Sequence, residues 1–457
     1  MPNKFIVHKK ELQLMKFIKS IYLTQNLYWV LVLVAFISIL GHFIPLLFPV
    51  ARLLLLLFLV YLGLDIFILY RSKKGIIASR KCPEKLSNGD DNSISIFVKN
   101  NYPLATRIDV IDELPVQFQK RDFLYSFQLK PGEEKQINYE LKPTERGEYH
   151  FGFLNVYVSS FLRLIKKRYK IEAEQMLPCY PSFMQMRQYE LLAVSNRLND
   201  YGVKRIRRIG HQMEFDQIRE YVKGDDYRTI NWKATARKSQ IMVNQYQDEK
   251  SQPVYCLIDT GRSMKMPFNG LTLLDYAINT SLVISNTAVI KNDKAGLICF
   301  GKDINAHIPA DGRRTQIRKI MEVLYNQKTN YPEPNYELLH SSARRLLRNR
   351  SLLILFTNFE SLDSMKRQLP YLQGLAKDHL LMVVFFTNTE IKEITQQSAK
   401  SIEEIYIKTI GEKFIYDKKL IVKELEKYGI HAILSNPKDL TINTLNKYLE
   451  FKSRGLI

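Results

Sequence analysis

A chain of 457 residues is long enough for two or three domains, each with a sizeable core. Its formal net charge of +21 favours an anionic partner, either nucleic acid or an anionic membrane face. The four cysteines (Cys82, Cys179, Cys256 and Cys299) form no close-spaced motif, which argues against a disulfide-framed secreted scaffold; Cys256 and Cys299 sit inside apolar runs and read as core.

Residues 1–75 read as a transmembrane hairpin. Leu27 to Phe48 and Leu53 to Tyr70 are almost wholly apolar, and each approaches the ~20 residues a helix needs to span a bilayer. The helices are expected over about 27–48 and 53–70, with Pro49 to Arg52 as the short link that returns the chain. The first run is too long for a cleavable signal, and no small-residue cleavage site follows it. Lys9, Lys10, Lys16 and Lys19 precede the first run, and Arg71, Lys73 and Lys74 follow the second, while only Arg52 lies in the link. The positive-inside rule therefore puts both termini and everything after Tyr70 in the cytoplasm. Asp65 interrupts the second run and has two readings. It is either a functional intramembrane acid or an acid near the cytoplasmic helix end that reaches the headgroups or a helix partner.

From Ile76 to Pro181 the pattern is that of short strands. Ser93–Val98 and Thr106–Ile111 alternate, and further runs follow at Tyr125–Leu129, Gln136–Leu141, Tyr149–Phe153 and Val156–Val158. Asn88-Gly89, Asn101-Tyr102-Pro103, Pro131-Gly132 and Arg146-Gly147 punctuate them as turns. Residues 76–181 are expected to form a small β-sandwich that spaces or docks the next domain.

Residues 182–251 hold a polar segment from Gly210 to Arg237 with one of the chain's two tryptophans. Gly224-Asp225-Asp226 reads as a turn. Glu214, Arg219, Tyr221, Asp225, Asp226, Arg228, Trp232 and Arg237 are expected to form a structural ion-pair network. Two sharper readings compete: Asp225-Asp226 as a metal or catalytic pair, and Arg219, Arg228, Lys233 and Arg237 as a phosphate site. An adjacent acid pair points its side chains in different directions, and the four basic residues lack a glycine-rich loop.

This stretch resembles the hallmark segment of the bacterial membrane family called domain of unknown function 58. Glu214-Phe215, Arg219, Tyr221, Gly224-Asp225-Asp226, Arg228, Asn231-Trp232 and Ala234-Thr235-Ala236-Arg237 carry the resemblance. It extends over nearly the whole chain. It implies a protein of the bacterial inner membrane with a partner among MoxR-type AAA+ ATPases.

Residues 252–457 alternate apolar runs with helical patterns. Strands are expected at Val254–Ile258, Ala295–Phe300, Leu352–Phe356, Leu380–Phe386 and His431–Leu434. Helices are expected at Leu273–Ile290, Arg314–Leu324, Tyr336–Leu347 and Asp439–Phe451. This is the pattern of a doubly wound α/β sheet, and no G-x-x-x-x-G-K-[ST] or G-x-G-x-x-G follows a strand. The domain resembles the von Willebrand factor A fold, whose metal-ion-dependent adhesion site reads Asp-x-Ser-x-Ser in its first loop. Asp259 and Ser263 match that loop, with Gly261 in place of the middle serine. Thr357-Asn358 stands where Thr-Asp is expected, and Thr315 is the candidate for the second-loop threonine. By this resemblance Asp259, Ser263, Asn358 and Thr315 are the ligands of a degenerate site for Mg²⁺, or for Mn²⁺ or Ca²⁺.

These readings point to a membrane-anchored cytoplasmic scaffold or adaptor without catalytic activity. The alternatives are a metal-dependent hydrolase, which lacks a histidine base near Asp259, and a nucleic-acid-binding membrane protein. Nucleic acid is not expected as a partner, because the basic residues are spread along the chain and many flank the apolar hairpin, where anionic lipid accounts for them.

Overall fold

The computed structural model describes residues 15, 17–44, 47–72, 74–120, 122–195, 213–248, 251–396 and 401–457. The chain divides into two units, Met1–Cys179 and Tyr180–Ile457.

The first unit opens with β1 (Ile21–Leu23), α1 (Gln25–Phe43) and α2 (Leu47–Arg71). Both helices are apolar on every face, and Trp29 and Phe43 are 71% and 77% exposed. Each is long and apolar enough to cross a membrane. The turn between them lies earlier than the sequence suggested. The second helix opens at Leu47 and carries Pro49 in its first turn, where a missing N–H breaks no intrahelical bond. Arg52 therefore belongs to α2 and lies 4.7 Å from the centre of the Phe48 ring.

The strands that follow are β2 (Ile76–Lys81), β3 (Leu86–Ser87), β4 (Asn92–Asn100), β5 (Thr106–Asp112), β6 (Tyr125–Leu129), β7 (Glu134–Leu141), β8 (Gly147–Phe151), β9 (Leu154–Ser159), β10 (Ile165–Ile171) and β11 (Gln175–Tyr180). They form antiparallel sheets in the orders β1-β10-β9-β5-β6, β2-β4-β7 and β3-β11-β8. Strand alternation sends Ile94, Ile96 and Val98 into a shared core with Ile108, Val110, Val156 and Val158. That core extends to Phe58 and Leu69 of α2, so the helix is built into the β structure at its end.

Asp65 shows how. It is fully buried, and its carboxylate accepts from the Leu164 and Ile165 amides, each at 3.1 Å, and from Ser160 Oγ at 2.5 Å. One turn on, the Leu69 carbonyl accepts from Tyr102 Oη at 2.8 Å and Lys167 Nζ at 2.9 Å. These partners do not belong to another helix, as the helix-end reading allowed, but to Ser160 and the backbone leading into β10.

In the second unit, α3 (Phe183–Ser195) precedes a separate hairpin of β12 (Met213–Glu220) and β13 (Met242–Asp248), with α4 (Trp232–Lys238) between them. Then come β14 (Pro253–Asp259), a small hairpin of β15 (Pro267–Phe268) and β16 (Leu271–Thr272), α5 (Leu273–Ile290), β17 (Lys294–Phe300) and β18 (Ile304–Asp311). After them lie α6 (Thr315–Tyr325), α7 (Tyr336–Leu346), β19 (Leu352–Phe356), α8 (Leu362–Asp378) and β20 (Leu380–Phe386). The chain closes with α9 (Thr389–Gln396), α10 (Ile402–Lys427), β21 (His431–Ser435) and α11 (Leu440–Ser453).

The six-stranded sheet runs β18-β17-β14-β19-β20-β21, parallel except for β18. Helices cover both faces, so its strands are apolar throughout: Val254, Cys256 and Ile258 enter one core, Tyr255 and Leu257 the other. The α5 helix is long and apolar enough to cross a membrane, yet nearly all of it is buried here, and it serves as a core helix. The chain steps from β14 to β17 on one side and back to β19 on the other. The crevice at the carboxyl ends of β14 and β19 is thus the place where open α/β sheets bind ligands.

Candidate functional site

The first loop starts where β14 delivers Asp259 to that crevice. Its side chain is fully buried. Oδ1 accepts from the Gly261 amide at 2.7 Å, and Oδ2 accepts from Thr357 Oγ1 at 2.6 Å and Tyr336 Oη at 3.3 Å. The Tyr336 and Thr357 hydroxyls also bond each other, at 2.7 Å. Burial pushes the Asp259 carboxyl up to about 6, against the downward pull of its hydrogen bonds from Thr357, Gly261 and Tyr336. Burial likewise raises Tyr336 well above its ordinary value, with the Asp259 charge adding to the effect.

Gly261 has an ordinary extended backbone, with φ −81° and ψ 179°, so its role is space. A Cβ there would lie 2.6 Å from Pro334 Cδ and 2.8 Å from Asp259 Oδ1. The segment from Gln327 to Asn335 packs over the loop, with Thr329 Oγ1 donating to the Thr260 carbonyl at 2.8 Å and the Arg262 amide to the Pro332 carbonyl at 3.1 Å.

Of the four residues expected to hold a cation, three come together. Asn358, directly after β19, points Nδ2 at the Ser263 carbonyl, 3.4 Å away. Its Oδ1, the oxygen a cation would use, instead accepts from Lys418 Nζ of α10 at 2.5 Å. The same ammonium donates to the Phe359 carbonyl at 2.5 Å. Thr315 lies elsewhere. It is exposed at the start of α6, whose next residue, Gln316, bonds the Ala295 carbonyl at 2.9 Å. Ala295 is near the first residue of β17, whereas Asp259 pairs with Phe300 at its last. Five strand steps, roughly 16 Å, separate the two ends. The reason is that β18 runs antiparallel and carries the chain back to the amino end of the sheet before α6 begins.

These residues do not fit a hard cation. Both carboxylate oxygens of Asp259 are held by protein donors, Asn358 Oδ1 is held by an ammonium, and Thr315 is at the far end of the sheet. Tyr336, Thr329 and Lys418 are the participants the sequence did not disclose. Lys418 sits in a lysine-rich helix where nothing marks one lysine from another.

Beside Asn358 and Lys418 opens a groove of about 840 Å³ at the carboxyl ends of β19, β20 and β21. Met266, Phe268, Phe386, Ile391, Phe414 and Leu434 give it a largely apolar lining. Its size lies in the range of ligand sites.

The polar segment from Glu214 to Arg237 forms a compact turn. Arg219 holds Asp225 with both nitrogens, at 2.7 and 2.8 Å, and Asp225 also accepts from the Val222 amide at 2.9 Å. The Asp225 carboxyl is thereby held below its usual range, with Arg219 the main cause. Gly224, with φ +116°, makes the turn possible. Asp226 caps the following turn through the Arg228 amide at 2.9 Å, and Asn231 caps α4 through the Ala234 amide at 3.0 Å. Among the described residues, the expected network is thus one ion pair and a set of caps. Arg228 and Arg237 are exposed, Tyr221 is at the surface, and Trp232 is 72% exposed. Asp225 and Asp226 face different partners, so they do not form a shared acid pair. The Glu214 side chain, with Gly210, lies outside the described residues.

The family model of the protein of unknown function DUF58 matches residues 217–392. The match runs from β12 into α9 and takes in the capped turn, Asp259, Asn358 and part of the groove. An uncharacterized protein, YeaD of Bacillus subtilis, is 27% identical over 257 residues. That alignment takes in 54% of this chain, which spans 61% of the relative's length. Among solved structures, the conserved hypothetical protein BatB of Bacteroides thetaiotaomicron is 13% identical, covering 45% of this chain and 100% of its own at a TM-score of 0.29. A CARDB domain from Pyrococcus furiosus is 18% identical over 22% of this chain and 94% of its own, at a TM-score of 0.14. Both scores lie below the level at which a shared fold follows.

Proposed function

We propose that this chain is a membrane-anchored adaptor without catalytic activity. In this reading the α1–α2 hairpin holds it in the bacterial inner membrane, with both termini and the soluble parts in the cytoplasm. The β unit is a sandwich-like spacer, and the second unit, of the von Willebrand factor A kind, offers its carboxyl-end loops to a protein partner. By family resemblance that partner is a MoxR-type AAA+ ATPase.

The observation that carries this reading is the apolar groove beside Asn358 and Lys418. A largely apolar groove of this volume, with a few polar groups at one end, has the make-up of a binding site. Asp259 supports it indirectly. Bonded to Gly261, Thr357 and Tyr336, it fixes the loops before a partner arrives, which lowers the ordering cost of binding. The contact therefore needs no divalent cation.

The test is quantitative co-purification of the full chain from native membranes with a MoxR-type ATPase. Phe414→Glu puts a charge on an exposed groove residue and is expected to cut recovery at least about tenfold. Thr315→Glu, at the opposite end of the sheet, and added chelator are both expected to leave it unchanged. Equal recovery with Phe414→Glu overturns the reading.

A further inference from the structure

Lys418 is a part-buried cation that forms no ion pair among the described residues. Its two acceptors, Asn358 Oδ1 and the Phe359 carbonyl, are neutral. Glu360 bears on it electrostatically but is exposed and makes no ion pair with it. The other charged residues on the groove wall, Glu390 and Lys419, are exposed. Burial draws the Lys418 ammonium down to about 8, the mark of a charge that lacks compensation. An ammonium has three donors, and only two are in use.

The surface around it is larger than a small molecule covers. Tyr406, Ile410 and Phe414 are exposed at four-residue steps on α10, and the next step is Lys418. Residues so spaced form a continuous ridge on a helix. The ridge enters the groove at Phe414, opposite Met266 and Phe268. A free acid would fill the groove and leave the ridge in water. A polypeptide segment covers both.

We infer that the groove receives an apolar segment of a protein partner, and that an aspartate or glutamate side chain of that segment pairs with Lys418. This rests on the adaptor reading and names the chemistry of its contact. The apolar side chains would exclude water and so strengthen the ion pair at the centre of the interface.

The site is tested first with 4-phenylbutyrate against its uncharged amide, titrated by ligand-observed NMR onto the full chain in lipid nanodiscs. The acid is expected to bind about tenfold more tightly than the amide. Lys418→Met should level the two, and Lys418→Arg should keep a preference for the acid. Phe414→Glu leaves the lysine in place and should weaken both probes, which guards against a folding artefact in the Met variant. Equal binding of acid and amide by the parent chain overturns the inference, as does a preference that survives Lys418→Met. A fatty acid that co-purifies with the parent chain, and is lost with Lys418→Met, overturns the partner in favour of a free acyl acid.

The second arm compares co-purified partner for the parent and Lys418→Met. Loss in the variant supports the pairing. A preference for the acid with partner recovery unchanged overturns it and leaves the adaptor reading standing. No partner with the parent chain overturns the adaptor reading itself, and the pairing falls with it, whatever the probes show.

Discussion

Burial lifts the Asp259 carboxyl to about 6, and this has a consequence for stability whose sign is fixed. The folded state holds the proton more tightly than the unfolded chain, whose aspartate titrates near 3.9. Below about pH 4 both states are protonated and the group contributes nothing; as pH rises through 4 to 6 the folded state comes to carry a buried charge that the unfolded state carries in water. The contribution of Asp259 is therefore destabilising above pH 6, on the order of 3 kcal/mol. Asp259→Asn removes the titration. Denaturant unfolding at pH 4 and pH 8 should show the Asn variant gaining about that amount relative to the parent, and equal pH slopes for the two proteins would sink the assignment. Gly261 gives a second test. Its neighbours Pro334 and Asp259 leave no room for a methyl, so Gly261→Ala should cost roughly 1–3 kcal/mol by overpacking, read as a shift in the denaturation midpoint. The same crowding explains why no serine stands there. The approach of Asp259, Ser263 and Asn358 was legible, because each follows a strongly apolar strand. The use of Asn358 by Lys418 was not, because that contact joins residues 60 positions apart and leaves no local pattern.

At the level of elements, strands and helices with a strict period were legible and those without one were not. The five parallel strands of the sheet are apolar runs with polar residues only at their ends, and each was readable to within a few residues, whereas the antiparallel β18, with a polar-interrupted sequence, was not read. The β10 strand, with sequence Ile165-Lys-Lys-Arg-Tyr-Lys-Ile171, hides its pattern under basic residues, and Lys167 is buried there by bonding carbonyls at the end of α2. The α8 helix carries Pro370 in its interior, a residue that argues against helix in a sequence. Asp65 was ambiguous for a different reason: its partners are backbone amides, which every sequence possesses. Asp65→Ala would leave the Leu164 and Ile165 amides and the Ser160 hydroxyl without their acceptor. The variant should lose roughly 2–3 kcal/mol, the cost of stranding buried donors. Asp65→Asn, which keeps one acceptor, should lose less. Thermal unfolding of the full chain in detergent measures both, and indistinguishable melting of Ala, Asn and parent would show that the carboxylate is not holding this junction.

For the whole molecule, the joining of helix and sheet within the first unit fixes a topology. β1, just ahead of α1, pairs with β10, and the end of α2 is bonded to the same region through Asp65 and Leu69. Both ends of the hairpin thus meet the β structure. If the hairpin crosses the membrane, the β structure must lie on the side of both its ends, against the headgroups. On the proposed reading, the basic residues on those ends put that side in the cytoplasm. A cysteine scan decides it. Val50 lies in the first turn of α2, and Val116, in a turn after β5, is 89% exposed. With Cys82 replaced by serine, the remaining thiols are buried, and burial pushes Cys256 up to about 12, so they should not react. An impermeant maleimide applied to intact cells whose cell wall admits it should label Val50→Cys and leave Val116→Cys untouched until the membrane is opened. The reverse pattern would turn the hairpin over and place the groove outside the cytoplasm. Labelling of both from one side would mean that the apolar helices do not span the membrane, leaving a partner on either face in reach.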